Sequence, residues 1–546
     1  MADNYEYQTS VAGQDHAQRF KAKHMARIPD TNQGSYPSSQ VNWNLSSLTT
    51  NNYFLSCKLS QLEIPLVMHV NSDVDLGTAL ETAYMVALKK SACDSVNAIS
   101  VQLNENSIVN FTDLSNLATE FKILATWSED DVKVKGDVIG FAKNNADSYL
   151  YAAAASTNGI GECNNTIEPV VFDPAQGYIQ GLNDNKGYVQ RAKKTSYNVL
   201  NTQIAKYVDA AKMQNKHQSH VTRVDAKNSY YHVMLTIPLV NLPCGDLFEK
   251  MPLVRNPYFK ITVQMHTSTT VLAYTHAGTT LGLTSVSSQY GYNPVMVGKA
   301  SEGFIGTANS VITIKTGIGK APNGTASPWG STCYFNACLY EFNPEHESKY
   351  ISDVGTKLVK YQDIYSNTAL AQSGTINWQI HTGIANVRGL LLVTRLASTV
   401  NTLATPSTAA GAGTSTLLSP FTSGENMLGC SWSNMNVRIG NIPHYQNNID
   451  YTYDIYQKEV MSSFSVNGGL SQGINSGLIS QSDFESGVFN YVWIDLSRKE
   501  KNVDDIPRTI NFLGTNNSKA TALDLYAYVY HENSFGINCN TSQLTR

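Results

Sequence analysis

Phe259-Lys-Ile-Thr-Val-Gln-Met-His266 decides the fold. Phe259, Ile261, Val263 and Met265 alternate with Lys260, Thr262, Gln264 and His266. Successive side chains of a strand face opposite sides of a sheet, so such a run has one core face and one polar face. The alternation recurs along the chain. Leu55, Cys57 and Leu59 alternate with Ser56, Lys58 and Ser60, and Ile376, Trp378 and Ile380 with Asn377, Gln379 and His381. Near the end, Leu523, Leu525, Ala527 and Val529 alternate with Asp524, Tyr526, Tyr528 and Tyr530. This is the pattern of antiparallel sandwiches. Helical patterns are short. Ser128-Glu-Asp-Asp131 fits a capping box, because the Ser hydroxyl and the Asp131 carboxylate can satisfy free N–H groups of a first turn. Tyr149 to Ala155 and Glu345 to Ile351 are further candidates. None alternates regularly with strands, which argues against a βαβ fold.

The bulk composition agrees. Charged residues are 15% of the 546, against about 25% in an average globular protein. Asn, Ser, Thr, Gly and 30 Tyr stand in their place, residues suited to pleated surfaces and turns. The expected class is all-β. With 42% hydrophobic residues the chain can fill two or three cores. A net charge of −4 argues against a protein that coats nucleic acid through a broad basic surface. It leaves open a shell that encloses a genome.

Eight cysteines lie scattered, with no CxxC pair; Cys333 and Cys338, five apart, are the nearest in sequence. Free, buried thiols are the plainer reading. Met1 to Tyr7 is polar and acidic, unlike a signal peptide. Runs such as Tyr149 to Ala155 fall far short of the ~20 apolar residues that span a bilayer. The expectation is a soluble chain made in the cytosol, with no transmembrane segment, in which Asn110-Phe-Thr and Asn323-Gly-Thr are chance sequons.

Three segments read as long loops: Lys143 to Gly187, Ala273 to Ser301, and the nearly low-complexity Ala397 to Asn426, expected on the outer surface. The segment after Met265 falls near mid-chain and makes a natural boundary. The expected division is an N-terminal arm over 1–40, a first β domain over 41–275 and a second over 276–546. His16, Arg19, Lys21, Lys23, His24 and Arg27 make the arm basic. It reads equally as a solvated tail and as a contact to nucleic acid or a neighbouring subunit.

The search for chemistry is unproductive. No HExxH, Walker loop or dinucleotide GxGxxG is present. Gly469-Leu-Ser-Gln-Gly473 matches GxSxG, but Ile474-Asn-Ser-Gly follows where a nucleophile elbow needs a helix. Gly317-Ile-Gly-Lys320 lacks phosphate-loop spacing. His217 and His220 have metal-ligand spacing with no carboxylate or thiolate nearby in sequence, so a polar surface segment is the plainer reading. His346, between Glu345 and Glu347, fits a solvated helix start better than a pH-sensitive group. Asp130 and Asp131, or Asp504 and Asp505, are adjacent and not opposed as a glycosidase requires. The sequence offers no catalytic, cofactor-binding or metal-binding residue.

Several passages resemble the double jelly-roll major capsid proteins of virophages and polinton-like viruses. Ser95 to Ile123, SVNAISVQLNENSIVNFTDLSNLATEFKI, then Thr126 to Phe141, TWSEDDVKVKGDVIGF, is similar to the early part of their first jelly roll. Ile237 to Thr267, IPLVNLPCGDLFEKMPLVRNPYFKITVQMHT, resembles its closing strands. Gly473 to Ser518 is similar to the end of the second roll. The long Lys143 to Gly187 segment departs from the pattern. The resemblance implies two tandem eight-stranded antiparallel jelly rolls with long loops and a few short helices. It further implies a homotrimer that tiles an icosahedral virion shell around double-stranded DNA, partnered by a single jelly-roll penton protein and by minor capsid proteins, with no catalytic role. The Tyr526, Tyr528, Tyr530 face would suit an interface, although a half-exposed sheet face is the plainer reading. Rival readings are a carbohydrate-active β-sandwich enzyme or lectin, which should expose Trp beside paired acids, and a trimeric phage tail or receptor-binding protein, which should show repeats.

Overall fold

A computed structural model describes residues 19–545 apart from 51, 73–83, 112, 145–219 (within which 172–173, 178–179, 187 and 190–191 are placed), 226, 256–257, 275–280, 288–291, 300–309, 353–355, 398–430, 466–476, 486–488, 498–507 and 518–521. The strands run in chain order as β1 (Phe20–Pro29), β2 (Gln40–Asn44), β3 (Phe54–Ser72), β4 (Tyr84–Leu88), β5 (Val96–Leu103), β6 (Asn106–Phe111), β7 (Phe172–Asp173), β8 (Tyr178–Ile179) and β9 (His220–Asp225). Next come β10 (Asn228–Pro238), β11 (Val254–Arg255), β12 (Phe259–Met265), β13 (Ser268–Tyr274), β14 (Leu281–Ser287), β15 (Val295–Lys299), β16 (Ser310–Ile318) and β17 (Tyr334–Phe342). The last group is β18 (Thr356–Gln372), β19 (Thr375–Ile384), β20 (Val387–Leu396), β21 (Trp432–Ile439), β22 (Ile442–Pro443), β23 (Val492–Asp495), β24 (Arg508–Asn516), β25 (Leu523–Asn538) and β26 (Leu544–Thr545). The helices include α1 (Ser115–Thr126), α2 (Gly245–Lys250) and α3 (Pro344–Ser352).

The alternating runs all form strands: the opening motif is β12, and the other three lie in β3, β19 and β25. The second half is a jelly roll in its full strand order. One sheet reads β18-β25-β20-β23, with β26 added beside β25, and the other reads β19-β24-β21-β22. The first and last of eight strands thus lie side by side, as two interlocked Greek keys require. The first half has a four-stranded sheet, β2-β12-β5-β6, and a nine-stranded sheet built around β3. On one edge β3 pairs with β10, and on the other with β17 and β16 in succession. Val41, Trp43, Ile99, Val101, Ile261 and Val263 of the small sheet and Leu62, Ile64, Leu66 and Leu235 of the large one belong to one buried cluster.

The large sheet takes in more strands than a simple eight-stranded roll. Ala273 to Ser301, read as loop, carries β14 and β15; β13 and β14 form a hairpin and β13 also pairs with β16. The sheet therefore continues through the expected break at 275/276, and the second roll's sheets begin at Thr356. In the sequence of β14, Thr284, Ser285 and Ser287 interrupt the apolar alternation, which hid this strand. The arm also differs from expectation. Phe20 to Pro29 pairs along its length with Phe342 to Tyr334. Lys21 pairs with Glu341 at 2.8 Å, Arg27 with Glu63 at 2.8 Å, and the Lys23 ammonium lies 5.9 Å from the Tyr340 ring centre. Lys21, Lys23 and Arg27 are thus answered within the chain, and His24 lies 3.8 Å from Glu341. Residues 1–18, including His16, lie outside the described residues, as do Tyr149 to Ala155 and 398–426 of the proposed surface loop.

The Ser128 capping box is present: the Asp131 amide donates to the Ser128 hydroxyl and the Ser128 amide to the Asp131 carboxylate. Lys135 at 2.6 Å holds the Asp131 carboxyl down to about 2. The expected helix at Glu345 to Ile351 is α3.

Candidate functional site

For a chain without a catalytic constellation the functional surfaces are those where sheets meet, first within the molecule. A seam joins the two rolls, and α1 lies in it. Ten of its twelve residues are buried, polar Ser115, Asn116, Thr119 and Glu120 among them. The Phe121 ring lies 5.5 Å from that of Tyr491 and 5.4 Å from that of Trp493, both in the second roll. The sequence carries no clear signal for this helix. A helix buried on nearly all sides has no amphipathic stripe; only the Leu117, Phe121, Leu124 spacing hinted at it.

Hydrogen bonds close the seam along its length. Tyr528 donates to the Leu114 carbonyl at 3.0 Å and Tyr361 to the Ile108 carbonyl at 2.9 Å. The Gln362 amide donates to Asp246 at 2.8 Å, so α2 caps the edge of β18. The Leu478 amide donates to the Leu124 carbonyl at 2.7 Å. At one end Lys143 binds Asp483 at 2.5 Å and the Leu478 carbonyl at 2.6 Å. Burial alone would raise the Asp483 carboxyl, but the bonds from Lys143 and Ser480 prevail and hold it below the ordinary range. Arg255 pairs with Glu347 beside α3, and Tyr350 donates to the Leu253 carbonyl at 2.9 Å.

Of the Tyr526, Tyr528, Tyr530 face, Tyr528 thus finds its partner in the first roll, while Tyr526 and Tyr530 stay partly exposed. Tyr528 is buried where the first roll covers it, and Phe111 stacks on it with ring centres 6.1 Å apart. Burial raises all three tyrosine hydroxyls, Tyr526 to about 12. Trp493 is buried beneath Tyr530, with ring centres 5.1 Å apart. Trp43 and Trp432 are core residues as well. These indoles are packing elements and present no sugar platform.

The remaining candidates stay apart. Gly317 to Lys320 is the end of β16 and a turn with Gly319 in the left-handed region. His220 starts β9; His217, Gly469 to Gly473, Asp504 and Asp505 lie outside the described residues. Asp130 is paired with Lys133 at 3.3 Å on the surface. His346 sits in the first turn of α3. Among the described residues no group of three His, Cys, Asp or Glu gathers as a metal site, and no helix is long and apolar enough to cross a membrane. Cys57, Cys93, Cys244, Cys333, Cys338 and Cys539 are free and buried.

The fold and seam define a tandem double jelly-roll protein. No protein-family model matches the sequence, and no curated protein matches it. A solved structure does share its fold, and others align with it along their length. A chain of the Sputnik virophage, solved by cryo-EM, aligns over 100% of this chain and 92% of its own, with a TM-score of 0.53 at 11% identity. The mavirus major capsid protein covers 100% of this chain and 94% of its own (TM-score 0.42, 10% identity), and the Faustovirus major capsid protein 97% and 93% (TM-score 0.43, 9% identity).

Proposed function

We propose that this chain is a major capsid protein of the virophage type, a structural component of the virion shell and not an enzyme. The observation that carries the reading is full-length agreement with a virophage chain in a two-roll architecture, with the rolls fixed side by side by the Tyr528, Tyr361 and Lys143 contacts. Two rolls per chain and three chains give a capsomer of six rolls, a close approach to the hexagon needed to tile a flat facet. Rotational closure satisfies the trimer contact, while contacts between trimers remain extendable. Exposed Leu358, Tyr365 and Leu370 on the edge strand β18, and Met25 on the edge strand β1, are surfaces that copies of the chain would cover. A penton protein at the vertices and minor capsid proteins complete the proposed set of partners, and the enclosed genome is double-stranded DNA. Expression of the chain alone should give trimers of the 59.8-kDa protein, about 179 kDa, or closed shells. Light scattering and negative-stain images test this. A stable monomer, or glycoside cleavage by the purified protein, refutes it.

A further inference from the structure

The strand β1 is an edge left open on one side. Its backbone pairs with β17, and among the described residues no other group bonds to the backbone of Phe20 to Pro29. The two faces of the strand differ. Lys21, Lys23, Met25 and Arg27 are exposed on one, whereas on the other Phe20, Ala22, His24 and Ala26 are half-buried and Ile28 belongs to the core. An open edge of ten residues is a template for any strand that fits it.

Residues 1–18 lie outside the described residues, and their sequence holds a segment that fits. Tyr5, Tyr7, Thr9 and Val11 alternate with Glu6, Gln8 and Ser10, the period of a strand with two unlike faces. Eight residues, Ala12 to Arg19, separate Val11 from Phe20, with Gly13 among them. A hairpin with that loop sets Val11 opposite Phe20, Thr9 opposite Ala22, Tyr7 opposite His24 and Tyr5 opposite Ala26. The less polar sides then coincide. Glu6 falls opposite Met25, on the face that carries Lys23 and Arg27 as its diagonal neighbours. By contrast, antiparallel pairing of β1 with β1 of a second copy would bring Lys21 against Arg27, a repulsive pair.

We propose that Tyr5 to Val11 docks on the open edge of β1 in its own chain, as an antiparallel strand that closes the large sheet at that end. The short tether decides for the same chain over a neighbour, because it holds the segment at roughly millimolar effective concentration. Docked, the segment removes a template for uncontrolled strand pairing between copies. It leaves the outward face of β1, with Met25, to the contacts that copies make. This goes beyond the capsid reading and does not depend on it.

Hydrogen exchange of the Phe20 to Pro29 peptide in the full-length chain tests the docking. With β17 as sole partner about half of its amides would exchange fast, because antiparallel bonds to one neighbour alternate along a strand. With the segment docked, nearly all should be slow in wild type. A variant lacking residues 2–11 and a full-length Tyr5→Lys, Tyr7→Lys double variant should each release about four amides to fast exchange. The β25 peptide should stay unchanged in both, which shows that the fold is intact. A carbodiimide should join the Glu6 carboxylate to the Lys23 amine, with loss of water, and the link should be recovered from the monomer band of a denaturing gel. Half-fast exchange in wild type, protection that survives both variants, or absence of the Glu6–Lys23 link from the monomer band overturns the proposal.

Discussion

The Tyr528 hydroxyl donates to the Leu114 carbonyl at 3.0 Å, from the last strand of the second roll to the residue that opens α1 of the first. Leu114 has a left-handed backbone, φ 49°, and its amide is held by Asn97 at 2.9 Å. Two side chains from different parts of the chain thus fix one unusual residue at the seam. Tyr528→Phe removes one of two donors to this buried carbonyl, the Leu117 amide at 3.2 Å being the other, and is expected to cost about 0.5–1.5 kcal/mol in denaturant unfolding. An unchanged midpoint would mean that this bond does not hold the rolls.

Gly477 brings its backbone close to the first roll at the seam. Its φ is +77°, and an added Cβ would lie 2.2 Å from the Leu124 carbonyl oxygen that accepts the Leu478 amide. Gly477→Ala should break that bond as well as strain the backbone, at a cost above the ~1–3 kcal/mol of strain alone. Gly374, with φ +64° and open space around it, is the control. Gly374→Ala should lower the melting temperature less than Gly477→Ala, and equal losses would remove the seam from the explanation.

Arg395 in β20 is 2% exposed, and Nε, Nη1 and Nη2 all lack hydrogen-bond partners among the described residues. Asp524 stands opposite it in register, but its carboxylate accepts the Ala371 amide. A buried charge that makes no hydrogen bond is poorly repaid for its lost hydration. Arg395→Met is therefore expected to be at least as stable as wild type, with a gain of up to ~4 kcal/mol. A loss in equilibrium unfolding would show that the guanidinium is answered in solution.

Burial pushes the thiols of Cys57, Cys93 and Cys244 up to about 12 and raises those of Cys333, Cys338 and Cys539. Thiolate is the reactive form. At pH 8 no more than two of the eight cysteines should react with an aromatic disulfide reagent in the native protein, and all eight after denaturation. Fast native labelling of three or more contradicts the buried placement.

What the sequence determined by itself was local. The period-two runs at Phe259, Leu55, Ile376 and Leu523 specified strands because a sheet with one buried face needs that alternation. Ser128 and Asp131 specified a helix start because both bonds of the cap close within four residues. The jelly-roll pair was legible through family resemblance, and the structure bears that fold out. Tertiary structure alone decided which sheet face meets what. Tyr528 reads as part of a half-exposed face until the first roll buries it, whereas Tyr526 and Tyr530 do stay partly exposed, and α1 showed no stripe because it is surrounded. The pairing of Phe20 to Pro29 with Tyr334 to Phe342 spans some three hundred residues. Side-chain periodicity reports the environment on either side of one element, whereas contacts between distant elements depend on how the whole chain is threaded.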